Sequence, residues 1–496
     1  MKPILLLVSA LICSACTSTK LAPTPETQIT SKPLQSQQYK ASGDKQMVSF
    51  DKAYQQKALE IYRKVIAYRT AAGHGQVPLM AKYLADQFIQ GGFEEKDVNV
   101  LPFKANNGED IAGLVVRYRG NGSANKKPIL LVAHMDIVDA LPKDWERDPF
   151  TLIEENGFFF GRGALDNKAG VTALTTTFLR LKAEGFVPTR DLIIAFTGDE
   201  ESGMQSTELL VTKHRDLTDA EFALNADDGG GYLDSENNPT SYRISTSEKT
   251  YASYDMTIRN PGGHSSTPRI DNAIYELADA LKKLQKHSFP VRFNDATLAL
   301  FSASAETEKG LLSEALSVFS KDPTNQKAID YLSTNASYAS LIRTTCVATM
   351  LYAGHAENAL AQSASATVNC RIFPGIEPEK IQSTLQSVVG ENVEIKMLGN
   401  PTSSPASMLR EDVTQAVTKA VHTLVPNVAI MPAMVQWGTD GKILRANGIP
   451  TYGVSGVFIR DEDAFAHGLN ERVPVKAFYA ELEHWYIVLH ELAGED

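Results

Sequence analysis

The sequence predicts an α/β domain, its sheet covered by helices, interrupted by a smaller α+β unit of ferredoxin-like order. Three observations carry this. Short apolar runs at 128–133, 191–196 and 222–226 read as strands buried on both faces. These runs alternate with helical patterns, as a helix-covered sheet requires. Between 247 and 399 the order becomes strand, helix, strand, strand, helix, strand, which is that of a ferredoxin-like unit.

The elements follow in chain order. Met1-Lys2-Pro3 precedes an apolar run from Ile4 to Cys13, the pattern of a secretory signal over 1–16. That run is too short to span a bilayer, which takes about 20 residues. Cys13-Ser14-Ala15-Cys16 resembles the small-residue motif before a lipid-modified cysteine in bacterial lipoproteins. The expectation is therefore an exported, periplasmic protein held to a bacterial membrane through a lipid on Cys16. Residues 17–47, rich in Ser, Thr, Gln and Pro, read as a flexible tether.

Residues 53–71 and 78–91 are amphipathic and predict helices. Strands are expected at 111–119 and 128–133. A helix is expected at 167–184, with Asp166 placed as its N-cap. Strands at 191–196 and 222–226 complete the first part, 48–246. In the inserted unit, 247–399, strands are expected at 251–259, 344–352, 362–373 and 393–398, and helices at 271–286 and 377–389. An extra helical stretch occupies 291–343. The second part of the larger domain, 400–496, carries a helix at 411–424, short strands near 428–432 and 450–455, and a terminal helix at 474–493.

The 496 residues are 43% hydrophobic and 22% charged, ordinary for a globular protein. Lysine and arginine number 48 against 59 acidic residues, a net charge of −11, which argues against a nucleic-acid partner. Cys346 and Cys370 fall in adjacent predicted strands, roughly opposite one another. A disulfide and a pair of buried free thiols both stay open, the free thiols being the default.

Ligands of open α/β sheets bind beyond the carboxyl ends of the strands. The residues just past the buried runs are therefore informative: His134 and Asp136, then Asp199, Glu200 and Glu201, then Asp227 and Asp228. Asp166 starts a helix, and His467 lies in a loop near the C-terminus. Such a crowd of carboxylates around two histidines is unfavourable alone, because like charges about 4 Å apart repel by roughly 4 kcal/mol at an effective dielectric near 20. Divalent cations reverse the sign. Mixed imidazole and carboxylate donors suit two metal ions per chain, Zn²⁺ first, with Mn²⁺ or Co²⁺ able to use the same set.

The segments AHMDIV (133–138), GRGALDNKAG (161–170), TGDEESG (197–203), ADDGG (226–230), GGHSSTP (262–268) and AHGLNE (466–471) stand in the order and spacing of a dinuclear zinc hydrolase family. From about residue 50 onward the chain resembles this family, clan MH, of carboxypeptidase S, aminoacylase, carboxypeptidase G and succinyl-diaminopimelate desuccinylase. It looks most like the carboxypeptidase S branch. The resemblance implies a zinc-peptidase-like mixed sheet and an inserted lid or dimerisation domain. It implies His134 and Asp227 on one metal, Glu201 and His467 on the other, and Asp166 bridging both. Asp136 orients the His134 ring, and Glu200 is the general base. Where the family often has glutamate then proline, this chain has Asp227-Asp228, and Asp227 is favoured because the apolar run ends directly before it. His264 is the implied oxyanion donor. Asn358, Arg371 and the loop at Gly438 are the implied substrate contacts, Arg371 for a carboxylate.

The implied activity is hydrolysis of an amide or peptide bond beside a free carboxylate, as by a carboxypeptidase-like exopeptidase; an N-acyl amino acid hydrolase with the same machinery is the alternative within the enzyme class. A non-catalytic metal or peptide binder on the same fold is the alternative of another class; the intact Glu200 and donor set favour the enzyme. A homodimer is slightly preferred to a monomer. Gly161-Arg162-Gly163 is no dinucleotide turn, since Asp166 would face the pyrophosphate. No GxSxG or HExxH motif is present.

Overall fold

The computed structural model describes residues 52–495; the signal, the tether and Cys16 lie outside the described residues. A ten-stranded mixed sheet runs in the order Val98–Lys104, Asp110–Tyr118, Leu192–Thr197, Ile129–His134, Phe222–Asn225, Thr451–Gly453, Pro239–Glu248, Gly230–Leu233, Phe458–Arg460, with Ala429–Val435 paired to Pro239–Glu248. Its four central strands are mutually parallel. Ile129–His134 and Leu192–Thr197 are buried throughout. Their alternation divides the apolar load: Ile129, Leu131 and Ile194 pack into the core on one face, Leu130, Val132 and Ile193 into that on the other. The helices Lys168–Ala183 and Val475–Ala493 cover the first face.

The smaller sheet orders Thr345–Ala353, Ser363–Ile372, Thr250–Arg259 and Glu394–Leu398, all antiparallel. Counted along the chain this is 4-1-3-2 read from its far edge, the ferredoxin-like arrangement. Helices Ala273–Lys286 and Pro378–Val389 pack their apolar residues against one face of it. The chain crosses from the large sheet to the small one through a single residue, Lys249, between Glu248 and Thr250. Glu248 accepts from the Thr439 N–H at 2.6 Å and from Arg445. Lys249 Nζ donates to the Ser340 and Arg343 carbonyls at 2.7 and 2.8 Å.

Several expectations are corrected. The first helix stops at Ile66 rather than 71. The chain beyond it is captured elsewhere: Thr70 Oγ1 donates to the Met135 carbonyl at 2.7 Å and Lys168 Nζ to the Tyr68 carbonyl at 2.6 Å. Asp166 is not an N-cap; Asn167 holds that position, and the Asp166 carboxylate turns to two histidines instead. The stretch 291–343 forms helices whose core includes Met431, so it packs on Ala429–Val435 of the large sheet. Cys346 and Cys370 are direct cross-strand partners and are bonded, overturning the preference for free thiols.

His484 is fully buried between Tyr242 and Trp485, and neither ring nitrogen has a partner among the described residues. Burial alone drives its pKa down to about 3. The imidazole is neutral in the fold and protonates only once unfolded. Stability tied to it is thus complete above pH 6.5 and falls as the pH drops from 6.5 toward 3. About 2 kcal/mol should be lost by pH 5. His484→Phe should flatten that acid limb in denaturant titrations at pH 7 and pH 5; an unchanged difference between the two pH values counts against it. Mapping of unreduced peptides should recover Cys346 and Cys370 linked. Their reduction, opening a loop of separation 24, should cost about 3 kcal/mol in thermal or urea unfolding.

Candidate metal centre

The parallel central strands end on one side, so the residues that follow them converge. His134 is the last residue of its strand. Its Nε2 lies 2.8 Å from Asp166 Oδ1 and 3.2 Å from Asp227 Oδ1. His467 Nε2 lies 2.8 Å from Glu201 Oε1 and 3.1 Å from Asp166 Oδ2. Asp166 thus gives one oxygen to each histidine. Three donor groups result, each with ligand atoms within 4.8 Å of one another: His134, Asp166 and Asp227; His134, Glu200 and Glu201; Asp166, Glu201 and His467.

Asp136 lies against the His134 ring. The nearest partner of His134 Nδ1 is the Asp136 carbonyl oxygen at 3.0 Å; the carboxylate oxygen is at 3.6 Å. That carboxylate accepts the N–H groups of Glu200 and Glu201, each at 3.0 Å, and so fixes the turn that presents both acids. Asp228 points away, accepting from the Gly229 N–H, and burial with Glu248 nearby raises its pKa to about 7. Asp227 alone of that pair joins the donors.

The electrostatics are those of a site short of positive charge. Burial first, then Asp227, Asp440 and Glu201, hold the Glu200 carboxyl well above the usual range. Burial does the same for Asp227. Burial works against a charged His134, but Asp227, Asp136 and Asp166 outweigh it and raise its pKa. Hydrogen bonds donated to the Asp166 and Glu201 carboxylates lift His467 to about 10. Glu200 Oε1 is buried with no hydrogen-bond partner among the described residues. Mixed nitrogen and oxygen donors, crowded carboxylates and an orphaned buried oxygen together fit divalent cations. The cluster is able to bind metal.

Two supporting residues escaped the sequence reading. Glu471 is completely buried. It accepts from Arg162 Nη1 at 2.6 Å and from the N–H groups of Gly163, Leu165 and Asp166 at 2.8–3.1 Å, so it shapes the turn that carries Asp166. It stood in the AHGLNE segment, where its nearness to His467 was the available signal. Asp440, in Gly438-Thr439-Asp440-Gly441, accepts from Thr197 Oγ1 and Thr207 Oγ1 and anchors that loop beside the Glu200 turn.

The residues of the inserted domain divide into two places. His264 and Asn358 meet at a two-stranded ladder, Gly263–His264 against Ala359–Leu360, the Ser265 N–H donating to the Asn358 carbonyl at 3.0 Å. His264 is exposed, its Nδ1 is 2.7 Å from Ser266 Oγ, and it joins none of the three donor groups. Arg371 instead reaches the large domain: its Nη1 donates to the Gln436 carbonyl at 3.3 Å, two residues before Gly438. Its guanidinium lies 4.7 Å from the Tyr251 ring.

The profile of Peptidase family M20/M25/M40 matches residues 130–491. The N-fatty-acyl-amino acid synthase/hydrolase of Xenopus tropicalis is 29% identical over 389 residues, 75% of this chain and 73% of that protein. Carboxypeptidase S of Saccharomyces cerevisiae is 25% identical over 295 residues, 57% of this chain and 50% of that one. The crystal structure of an M20 family metallo-carboxypeptidase from Sulfolobus solfataricus superposes with a TM-score of 0.63 at 18% identity, covering 87% of this chain and 98% of that one, and shares the fold.

Glu471→Ala should leave Arg162 and three N–H groups buried without an acceptor. The expected loss is about 3–5 kcal/mol in urea unfolding, with reduced metal content at equilibrium dialysis. A loss under about 1 kcal/mol would show that these donors find other partners.

Proposed function

The chain belongs to Peptidase family M20/M25/M40, and from that membership we propose that this metal-dependent hydrolase cleaves the amide bond of an N-acyl amino acid. The free carboxylate is gripped by Arg371 and the acyl carbonyl faces the donors between His134 and His467. The observation that carries this reading is Glu200 Oε1, buried and unpartnered beside the donor cluster. A carboxylate held there can accept a proton from water.

His134 and Asp227 would hold one cation, Glu201 and His467 a second, with Asp166 shared between them; Zn²⁺ is the ion proposed. When bound, the ions supply Lewis acidity to a carbonyl and acidity to a water. Glu200 takes the proton of the attacking water as its oxygen bonds to the acyl carbon. It then delivers that proton to the amide nitrogen as the C–N bond breaks, releasing a carboxylic acid and an amino acid. Asp136 keeps Glu200 aimed through the two backbone hydrogen bonds of its turn. His264 would donate to the carbonyl oxygen after domain closure or from a second copy. Strand Thr345–Ala353 is an exposed sheet edge carrying Val347, Met350, Leu351 and Tyr352, a surface suited to a homodimer.

A fatty acyl group is the preferred partner of the carboxylate end. The loops bearing site residues expose Leu141 and Leu469, 51% and 54% accessible, and Glu146 N–H to Asn470 Oδ1 at 3.2 Å ties these two loops together. The fatty-acyl hydrolase relative supports the same reading. Cleavage of the C-terminal residue of a peptide is the second reading, favoured by the carboxypeptidase S relative. Export to the periplasm, with a lipid on Cys16, is proposed on the N-terminal sequence. The disulfide supports it, being a bond of oxidising compartments.

Glu200→Gln should lower kcat by at least about 10²-fold while leaving metal content unchanged, since it removes a proton shuttle and no proposed ligand. Near wild-type turnover would eliminate Glu200 as the base. Chelation should abolish activity and Zn²⁺, Mn²⁺ or Co²⁺ restore it. N-acyl amino acids and dipeptides assayed side by side decide between the two readings.

A further inference from the structure

Arg371 does not stand alone on its sheet face. It and Tyr251 are direct cross-strand partners, so their side chains leave the same side of the small sheet. The guanidinium packs on the Tyr251 ring at 4.7 Å, yet that ring remains 50% accessible. The hydrogen bond from Arg371 Nη1 goes to the carbonyl of Gln436, and the next residue, Trp437, is 49% accessible. One large half-exposed aromatic ring therefore packs on a cation that has no carboxylate within ion-pair distance among the described residues, and a second follows the residue whose carbonyl that cation holds. One ring comes from the small sheet, the other from the loop that leads to Gly438.

We infer that Tyr251 and Trp437 form the subsite for the side chain of the amino acid whose carboxylate Arg371 holds, and that this subsite selects a large apolar or aromatic residue. The argument is one of adjacency. In an α-amino acid the side chain and the carboxylate leave the same carbon, so a side chain beside a carboxylate on Arg371 must lie within a few ångströms of the guanidinium. Tyr251 packs on the guanidinium with half its surface free, and Trp437, also half-exposed, stands next to Gln436. The neighbouring cation, Lys249, is engaged with the Ser340 and Arg343 carbonyls and offers nothing to an acidic side chain. A basic side chain would likewise meet Arg371 itself. The inference rests on the proposed amide hydrolysis beside a carboxylate, but not on whether the other partner is an acyl chain or a residue of a peptide.

The test holds the acyl part constant and varies the amino acid: N-acetyl and N-lauroyl derivatives of phenylalanine, glycine, glutamate and lysine, with Ala-Phe and Ala-Gly alongside. Burial of a phenylalanine side chain predicts kcat/KM for phenylalanine about thirtyfold above that for glycine, with glutamate and lysine near or below glycine. Trp437→Ala should cut the phenylalanine-to-glycine ratio about tenfold, mainly through KM, and Trp437→Phe should restore most of it. Tyr251→Leu should reduce the ratio less. Metal content should not change, because none of the three donor groups includes either residue. Equal kcat/KM for phenylalanine and glycine in the wild type overturns the subsite, as does a Trp437→Ala variant that lowers both substrates alike. Absence of turnover on every derivative and dipeptide overturns the hydrolysis reading itself, and the subsite with it.

Discussion

Negative charge confined at the end of four parallel strands is the constraint to which the rest of this molecule answers. Parallel pairing brings His134, the Glu200–Glu201 turn and Asp227 to one edge, and it cannot do so without crowding their charges. Every neighbouring feature limits the cost. Asp136 and Glu471 spend their carboxylates on backbone N–H groups, Asp440 on two threonine hydroxyls, and Asp228 turns away toward the sheet interior. What remains unbalanced is Glu200 and the donors around Asp166. A divalent cation there would relieve that imbalance, and the cluster is able to bind one.

The same economy governs how the two sheets are joined. Glu248 and Lys249 are consecutive, yet their side chains are anchored in opposite directions, one to the Thr439 loop and Arg445, the other to the carbonyls at 340 and 343. The crossing is therefore fixed on both sides by buried charges with satisfied partners. Arg371, further along the small sheet, meets the large domain at Gln436, close to the loop that Glu248 holds. Short polar ties at Glu248, Lys249 and Arg371 thus join the two sheets, beside the apolar packing of the 291–343 helices on Ala429–Val435.

Much of this was legible in the sequence because burial writes a strong signal. The apolar runs at 129–134, 192–197 and 222–225 need no periodicity to be recognised, and the residues just past them are the donors. The strand Pro239–Glu248 was invisible for the opposite reason. Its sequence, PTSYRISTSE, is polar, and only Tyr242 and Ile244 betray its inward face. The end of the first helix was misjudged because Thr70 is held by Met135, a contact that no local pattern encodes. Asp166 looked like a helix cap because an aspartate before an apolar helical run usually is one; two histidines distant in sequence claimed it instead. Cys346 and Cys370 were correctly placed opposite one another, but whether they bond depends on a Cα separation, 4.1 Å, that spacing along the chain does not give.

The tie between Glu471 and the 162–166 turn has a consequence for the order of events during synthesis. It joins segments more than three hundred residues apart, and His467 is just as remote from Asp166. Contacts of such separation close late, after the loop entropy has been spent elsewhere. A nascent chain that has already made the strands ending at His134, Thr197 and Asn225 still lacks the partner that shapes the Asp166 turn and the imidazole of the last donor group. The molecule therefore stays without its third donor group, and without the buried acid that shapes the Asp166 turn, until the segment bearing His467 and Glu471 has emerged.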